Sequence, residues 1–480
     1  MQRSLILAIH TAILLYSVLA SFSLFANDAS HIRGALCLLK VDEQLLLVEE
    51  VITGKLSLPG GTINRGESPS IAAQRETWEE TGIIVTVGNR LEQTDSAYIF
   101  DCQLDSSLLV STYRDSLSRR TVPSWIAPHY GIETKQVILV SPNNVMSRDY
   151  RYPSQWPTIK KAFVSAKDQP VDYVDDMLNF ASYWQQIEVE FIASMQRAVK
   201  TLPTVWQGAI NQSAQFIESS FNRLTLTLSM ALITLLFGVR FALKVVLLIA
   251  SSGIIAFILQ LGIALPRPYE YLPSIKLGAM YGFSMPNIVS VVMTATGIIV
   301  TRQYKLMFES ANNVTLMMIA VVASYSLSGV YLGSQYVMAL LAGVTLGGVL
   351  AWNFIRLDRN VAQRYGDWLF NATFWLVIAV IAGLLSYLSY SSYVNSISVL
   401  CLSVALFVSR VKKEFEVSVS MNILTGLIVV VLLHSAAFDW LEEQVSYSGK
   451  YSLLVNIAFV PSIMVILAVL FYKTRKPTRS

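Results

Sequence analysis

Residues 61–83 read GTINRGESPSIAAQRETWEETGI. The local pattern is loop, helix, loop. Leu58-Pro59-Gly60-Gly61 ends a preceding strand, Gly66 supports a turn, and Ser68-Pro69 is a helix start. Gly82 closes the helix as a C-cap. Glu76, Glu79 and Glu80 stand at i, i+3 and i+4, which directs three carboxylates to one side of that helix. Like charges so placed repel by a few tenths of a kcal/mol per pair. A hard dication such as Mg²⁺ or Mn²⁺ prefers oxygen ligands and turns this repulsion into affinity. The implied ligand set is therefore Glu76, Glu79 and Glu80. On the opposite face, Ile71, Ala72 and Trp78 are expected to pack onto a sheet.

Working outward, residues 33–40, 44–52, 97–104 and 136–140 read as strands bounded by polar turns. Together with the helix they predict a small α/β sandwich of roughly 130 to 140 residues, one domain in size. The stretch also resembles the signature of the Nudix hydrolases. That signature is Gly, five residues, Glu, seven residues, then Arg-Glu-aliphatic-any-Glu-Glu-any-Gly-aliphatic. It falls here on Gly61, Glu67, Arg75, Glu76, Thr77, Trp78, Glu79, Glu80, Thr81, Gly82 and Ile83, with Thr77 alone departing. The resemblance implies metal-assisted hydrolysis of a diphosphate linkage, with a nucleoside diphosphate joined to another group as the usual substrate. It further implies that Arg75 orients a ligand carboxylate, that Glu67 assists, and that Gly61 and Gly82 shape the loops beside the helix, Gly61 on the substrate-binding side. Which Glu acts as base stays open. His129 and Glu133 lie where the family sometimes keeps an extra base; from the residues alone they read as surface groups.

Apolar residues make up 54% of the chain and charged residues 14%, against about 25% charged in ordinary soluble domains, so much of the protein is expected to face lipid. The first apolar run, 5–25, follows Arg3 and ends at Ala26, which reads as a signal peptide or a retained N-terminal anchor over 1–26. Nine further runs occupy 224–238, 241–264, 278–300, 314–333, 336–355, 368–389, 395–408, 417–437 and 452–472. Lysine and arginine cluster at every second connection between them. These clusters are Arg240 with Lys244, Arg302 with Lys305, Arg356 with Arg359 and Arg364, Arg410 with Lys412 and Lys413, and Lys473 with Arg475, Lys476 and Arg479. Such connections are expected in the cytoplasm. Tracing back places the α/β domain outside it, on the periplasmic side of a bacterial inner membrane.

Residues 172–200 read as helical, with an apolar stripe of Met177, Phe180, Trp184, Ile187, Phe191 and Met195; Trp206, Ile210, Ile217 and Phe221 form a second stripe. Both fit either the membrane interface or packing on a neighbour. Further on, Arg267-Pro268, the run Tyr281 to Pro286 and the region from Tyr331 to Gly343 resemble the three motif regions of the type-2 phosphatidic acid phosphatases. The reactive groups of that family are missing: Gln260, Asn287, Ile288, Val289, Gly329, Gln335 and Ala339 stand where its Lys, Ser-Gly-His, Arg, His and Asp belong. An amide at 335 cannot attack phosphorus. The resemblance implies a helix bundle without phosphatase chemistry, in which Arg267 either binds a lipid phosphate or is an interfacial charge.

The three cysteines fit no metal spacing; Cys37 and Cys102 can pair if their strands lie side by side in an oxidising compartment. His434 is expected to snorkel at the end of a span. No Walker loop, dinucleotide fingerprint or basic stripe with interleaved aromatics is present, so nucleic acid is not an expected partner. The chain thus divides into 1–26, an α/β Nudix-like sandwich at 27–170, a helical linker at 171–222, a phosphatase-like membrane bundle at 223–390 and further all-α transmembrane helices at 391–480. A membrane-tethered diphosphate hydrolase acting on a small molecule or a lipid diphosphate is the leading expectation. A second enzyme in the bundle and a non-catalytic binding protein are the alternatives.

Overall fold

The computed structural model describes residues 32–308, 312–365, 367–411 and 421–473. The expected leader 1–26 lies outside them, as do Lys412, Lys413, Arg475, Lys476 and Arg479.

The first part is a mixed-sheet α/β domain. Its elements are β1 (Gly34–Leu38), β2 (Lys40–Val41), β3 (Gln44–Glu50), β4 (Leu56–Ser57), β5 (Gly60–Thr62), α1 (Pro69–Thr81), β6 (Val85–Gln93), β7 (Ala97–Leu104), β8 (Leu109–Ser111), β9 (Arg120–Val122), β10 (Thr134–Val140), α2 (Trp156–Ser165), β11 (Asp168–Gln169) and β12 (Asp172–Val174). One sheet runs β5-β1-β7-β6, the other β11-β2-β3-β10-β9 with β4 on β3, and β12 pairs β8. Side chains alternate along β3 and β10, and both faces are covered. Leu46, Val48, Val137 and Leu139 join the core that contains Ala72 and Ala73 of α1. Leu45, Leu47, Ile138 and Val140 join the one that contains Trp156 and Ile159 of α2. Burial on both sides explains why these strands read as unbroken apolar runs.

Three expectations are corrected here. The strand at 33–40 is two strands, because Leu39 separates β1 in one sheet from β2 in the other. The strand β6 was not expected, since its sequence VTVGNRLEQ is largely polar; it is an edge strand, with register shifts between Val87 and Arg90 and between Arg90 and Glu92. Residues 172–174 are strand rather than helix, so the α/β unit extends to Val174. Cys37 and Cys102 lie on the parallel neighbours β1 and β7, both fully buried, and are joined as a disulfide.

Next come α3 (Tyr183–Lys200) and α4 (Thr204–Ser219), then α5 (Arg223–Ile263), the short α6 (Pro268–Tyr271), α7 (Ile288–Phe308), α8 (Asn312–Tyr331), α9 (Val337–Tyr365), α10 (Ala372–Ser389), α11 (Ser392–Arg410), α12 (Met421–Val445) and α13 (Gly449–Lys473). On α3 the buried face is Gln185, Val189, Ile192 and Gln196, while Ile187 and Phe191 of the expected stripe stay exposed. The buried glutamines are spoken for: Gln196 Nε2 donates to the carbonyls of Ile275 and Tyr331 at 2.9 and 2.7 Å.

Among the described residues, seven helical segments are long and apolar enough to cross a membrane, not nine. The first two expected runs merge in α5, which is broken at Gly238 (φ 83°, ψ 167°). The expected run at 278–300 is irregular until Ile288, and α7 is not apolar enough to count. His434 does not snorkel; it is buried, its Nε2 lies 2.8 Å from Ser462 Oγ, and its ring packs on Phe438 and Phe459.

The ends of the bundle differ. Every Lys/Arg-poor connection meets the α/β domain or α3. Tyr130 Oη donates to Glu270 Oε1 at 2.7 Å, and Lys276 Nζ to Gln136 Oε1 at 2.6 Å. Glu188 of α3 accepts from the backbone N–H groups of Val337 and Met338. The ring of Tyr390 lies 5.9 Å from that of His129, and Gly449 borders the Arg151 guanidinium. At the remote end, Lys244 pairs with Asp358 at 2.7 Å and Arg240 with Asp367 at 2.9 Å. Asp358 follows Val337 by 21 helical residues, about 30 Å at about 1.5 Å per residue. Both ends of α5 belong to the near face: Arg223 pairs with Asp439 and Glu442 close to the α12–α13 turn, and residue 264 leads into the connection beneath Tyr130. The chain therefore reverses at Gly238, with Arg240 and Lys244 just beyond the turn.

Candidate active site on the first long helix

Helix α1 is fixed at both ends by its own sequence. Ser68 Oγ accepts from the Ile71 N–H, Pro69 occupies the first turn, and Gly82, left-handed at φ 74°, donates its N–H to the Trp78 carbonyl. Its buried face is small: Ala72, Ala73, Thr77 and Thr81. Thr77, the one departure from the signature, is fully buried and returns its hydroxyl to the Ala73 carbonyl at 2.7 Å, so it packs as a small residue with its polarity satisfied. The expected packing face is corrected accordingly: Ala72 is buried, but Ile71 is 57% and Trp78 47% exposed. These two, with Gln74, Arg75 and Ile84, line a groove of about 330 Å³ beside the charged residues. A larger cavity, about 590 Å³, lies in the membrane half around Leu247, Phe354 and Phe374, away from this chemistry.

Arg75 organises the carboxylates. Its Nε and Nη2 fork onto the two oxygens of Glu67 at 2.9 and 3.1 Å, and its Nη1 donates to Glu76 Oε1 at 2.9 Å and Glu79 Oε2 at 3.0 Å. The bond from Arg75, helped by the Asn64 N–H, holds Glu67 below the usual carboxylate range. Glu80 turns to the backbone instead, accepting from the Gly60 N–H at 2.9 Å. Burial pushes Glu76 up, against the pull of Arg75. Glu80 keeps some accessible surface, yet enough protein surrounds its carboxylate that desolvation raises it well above the usual range, with Glu50, Glu76 and Glu133 adding repulsion. A Cβ at Gly61 would overlap the Glu76 carboxylate, so glycine is what leaves that carboxylate room.

The expected convergence of Glu76, Glu79 and Glu80 is not seen: among the described residues no group of three or more His, Cys, Asp or Glu is gathered as metal ligands. The reason is electrostatic. Arg75 draws Glu76 and Glu79 to its own guanidinium, and the Gly60 N–H takes Glu80. The donor set still suits a hard dication, because two half-buried carboxylates are held above their ordinary range by desolvation and by repulsion from neighbouring carboxylates, and among the described residues no ion pair is made by Glu80.

His129 and Glu133 are not simple surface groups. The His129 N–H donates to the Glu79 carbonyl at 2.9 Å, and its Nδ1 lies 3.0 Å from Glu133, whose hydrogen bond raises the imidazole above its ordinary pKa. Glu50, paired with Arg151 at 2.9 Å, flanks Glu80. Neither group is signalled by spacing from α1, since both arrive through strand pairing and a loop.

Arg267 belongs to a different place. It is only 6% exposed, and its guanidinium donates to the carbonyls of Tyr281 at 3.0 Å and Ser334 at 2.6 Å, so it is neither an interfacial charge nor part of the α1 cluster. The three regions compared with the phosphatase motifs do meet. Gln260 bonds the Pro286 carbonyl, Ser284 bonds Gln335, and Asn287 donates its N–H to Ala339. Gln335 is fully buried and supplies no nucleophile.

Residues 30–161 match the family model of the NUDIX domain. A MutT-like protein of Streptomyces ambofaciens is 30% identical over 93 residues, 18% of this chain and 57% of that protein, so the chain spans little more than half of that relative. A crystal structure of the MutT protein from Methanosarcina mazei Go1 shares 27% identity over 15% of this chain and 69% of that one, with a TM-score of 0.13. The family match lies within the mixed-sheet domain, which is Nudix-like, and the helical part that follows carries the membrane-length segments.

Proposed function

We propose that the α/β domain hydrolyses a diphosphate linkage with Mg²⁺ or Mn²⁺ held by Glu76, Glu79 and Glu80. The observation that carries this reading is the α1 cluster, in which Arg75 binds Glu67, Glu76 and Glu79 together beside the space left at Gly61. When bound, the dication supplies charge neutralisation at the phosphate oxygens and activation of water. The chain's own groups do the rest. Glu67 fixes the Arg75 guanidinium, and Arg75 fixes the side chains of Glu76 and Glu79. The His129–Glu133 pair stands beside them as a group able to move a proton.

The same reading puts the domain outside the cytoplasm, at the periplasmic face of a bacterial inner membrane. The basic residues Arg240, Lys244, Arg356 and Arg359 support this, since they lie at the end of the bundle remote from the domain. The Cys37–Cys102 bridge suits an oxidising compartment. The membrane half then serves as a platform whose phosphatase-like residues have lost their chemistry, Gln335 standing where a nucleophile is needed.

The test is a screen of nucleoside diphosphate sugars, other soluble diphosphates and lipid diphosphates with the full-length protein in detergent, with Mg²⁺, Mn²⁺ or chelator. Metal-dependent release of a phosphate monoester supports the reading. Turnover that survives both chelation and Glu79→Gln refutes it.

A further inference from the structure

The α1 cluster does not face open solvent on the side of the bundle. The loop that carries His129 and Glu133 is also the element that docks the domain onto the helices. Trp125 packs at a tilt against Tyr271 at 5.4 Å, Tyr130 edge-on against Phe283 at 5.2 Å, and Gly131 meets Gly282 so closely that a Cβ would lie 2.7 Å from its Cα. The His129 ring, whose own backbone N–H binds Glu79, lies 5.9 Å from Tyr390 in the α10–α11 turn. On the Glu80 side, Arg151 borders Gly449 in the α12–α13 turn. Two turns of the bundle thus meet residues that flank the carboxylate helix, His129 on one side and Arg151 on the other. Tyr390 continues directly into the outer end of α10, where Tyr387 is 77% and Leu388 74% exposed. Aromatic residues at the end of a membrane-length helix mark the headgroup level, and apolar side chains below them mark lipid. The loop that binds the Glu79 carbonyl is therefore one ring contact away from the end of α10 that marks the headgroup level.

Resting on the hydrolase reading above, we infer that the substrate is a diphosphate borne on an apolar chain that stays in the outer leaflet beside α10, its diphosphate rising past Tyr390 to Glu76, Glu79 and Glu80. A soluble nucleotide needs no such route. In the reaction the oxygen of water bonds to one phosphorus, the bridging P–O bond breaks, and the leaving phosphate keeps its electron pair. Water's proton passes to the carboxylate cluster. One phosphate stays on the lipid as a monoester, and the other is released.

The experiment uses the full-length protein in mixed micelles with Mg²⁺, comparing isoprenyl diphosphates of increasing chain length with a soluble nucleoside diphosphate sugar. Chains long enough to partition into the micelle are expected to gain at least about tenfold in kcat/KM, by burial of their apolar surface. Their rate is expected to fall when the micelle surface is diluted with neutral detergent at constant bulk concentration. Tyr390→Asp is expected to raise KM for the long-chain probe about tenfold more than for the soluble one, since it sets a charge in the apolar route. Equal or better hydrolysis of the soluble probe, with no response to surface dilution, overturns the inference and leaves the hydrolase reading standing. Absence of cleavage of every probe overturns both.

Discussion

The backbone N–H of His129 donates to the carbonyl of Glu79 at 2.9 Å, tying the loop that meets the membrane bundle to the last turn of the carboxylate helix. The same residue places its ring beside Tyr390 and its Nδ1 beside Glu133. The α10–α11 turn and Glu79 are thus linked through the single residue His129.

Glu79 shares the Arg75 guanidinium with Glu76, and in the proposed function it is one of the three metal ligands. Glu79→Gln keeps the size and removes the charge. It is expected to lower kcat by at least about a hundredfold, the scale of losing a principal electrostatic stabiliser. Steady-state kinetics with Mg²⁺ over a wide concentration range will show this, and near-normal turnover at any metal concentration contradicts the assignment.

Gly61→Ala puts a methyl into the Glu76 carboxylate. The clash is expected to cost about 1–3 kcal/mol of stability, as overpacking does. Displacement of Glu76 is expected to weaken Mg²⁺ or Mn²⁺ binding at least about tenfold, equivalent to about 1.4 kcal/mol. Calorimetric metal titration alongside thermal unfolding separates the two effects.

The pH dependence of stability follows from Glu76 and Glu80, both raised from 4.5 chiefly by burial. A carboxyl with a raised folded pKa contributes stability that is full below its unfolded value and is lost as pH rises through the folded one. The metal-free protein is therefore expected to lose stability as pH rises from about 4.5 toward neutrality. Saturating Mg²⁺ is expected to restore it. Tryptophan fluorescence melts across that range, with and without Mg²⁺, make the measurement; a flat profile with no metal effect counts against the site.

Tyr130→Phe removes the hydroxyl that satisfies buried Glu270 across the domain boundary. Leaving that carboxylate unpartnered is expected to cost about 1–3 kcal/mol. The loss should appear as faster hydrogen exchange in residues 125–136 and 268–284 together, because the bond joins those two segments. Exchange confined to one of them contradicts the coupling.

Helix α1 was legible because its determinants lie within a few residues of one another: the Ser68 cap, Pro69, Gly82 and the regular spacing of Glu67, Arg75, Glu76, Glu79 and Glu80. Apolar runs likewise announce membrane-length helices through composition alone. Edge strand β6 was not legible, since half of its side chains face water and leave no apolar period. Nor was the packed face of α3, where buried Gln185 and Gln196 work through partners some 80 to 135 residues away.

Chain chemistry thus dictated the α/β type of the first domain, its charged helix and the apolar character of the second half, all of which arise from neighbours in sequence. The fold decided how those parts meet. It turned Arg75 into the hub that separates Glu76 and Glu79 from Glu80, buried Arg267 against backbone carbonyls, reversed α5 at Gly238, and set His129 between Glu79 and Tyr390. Each of these depends on which distant segments share a boundary, and hydrogen bonds and charge pairs across such boundaries leave no periodic trace in the order of residues.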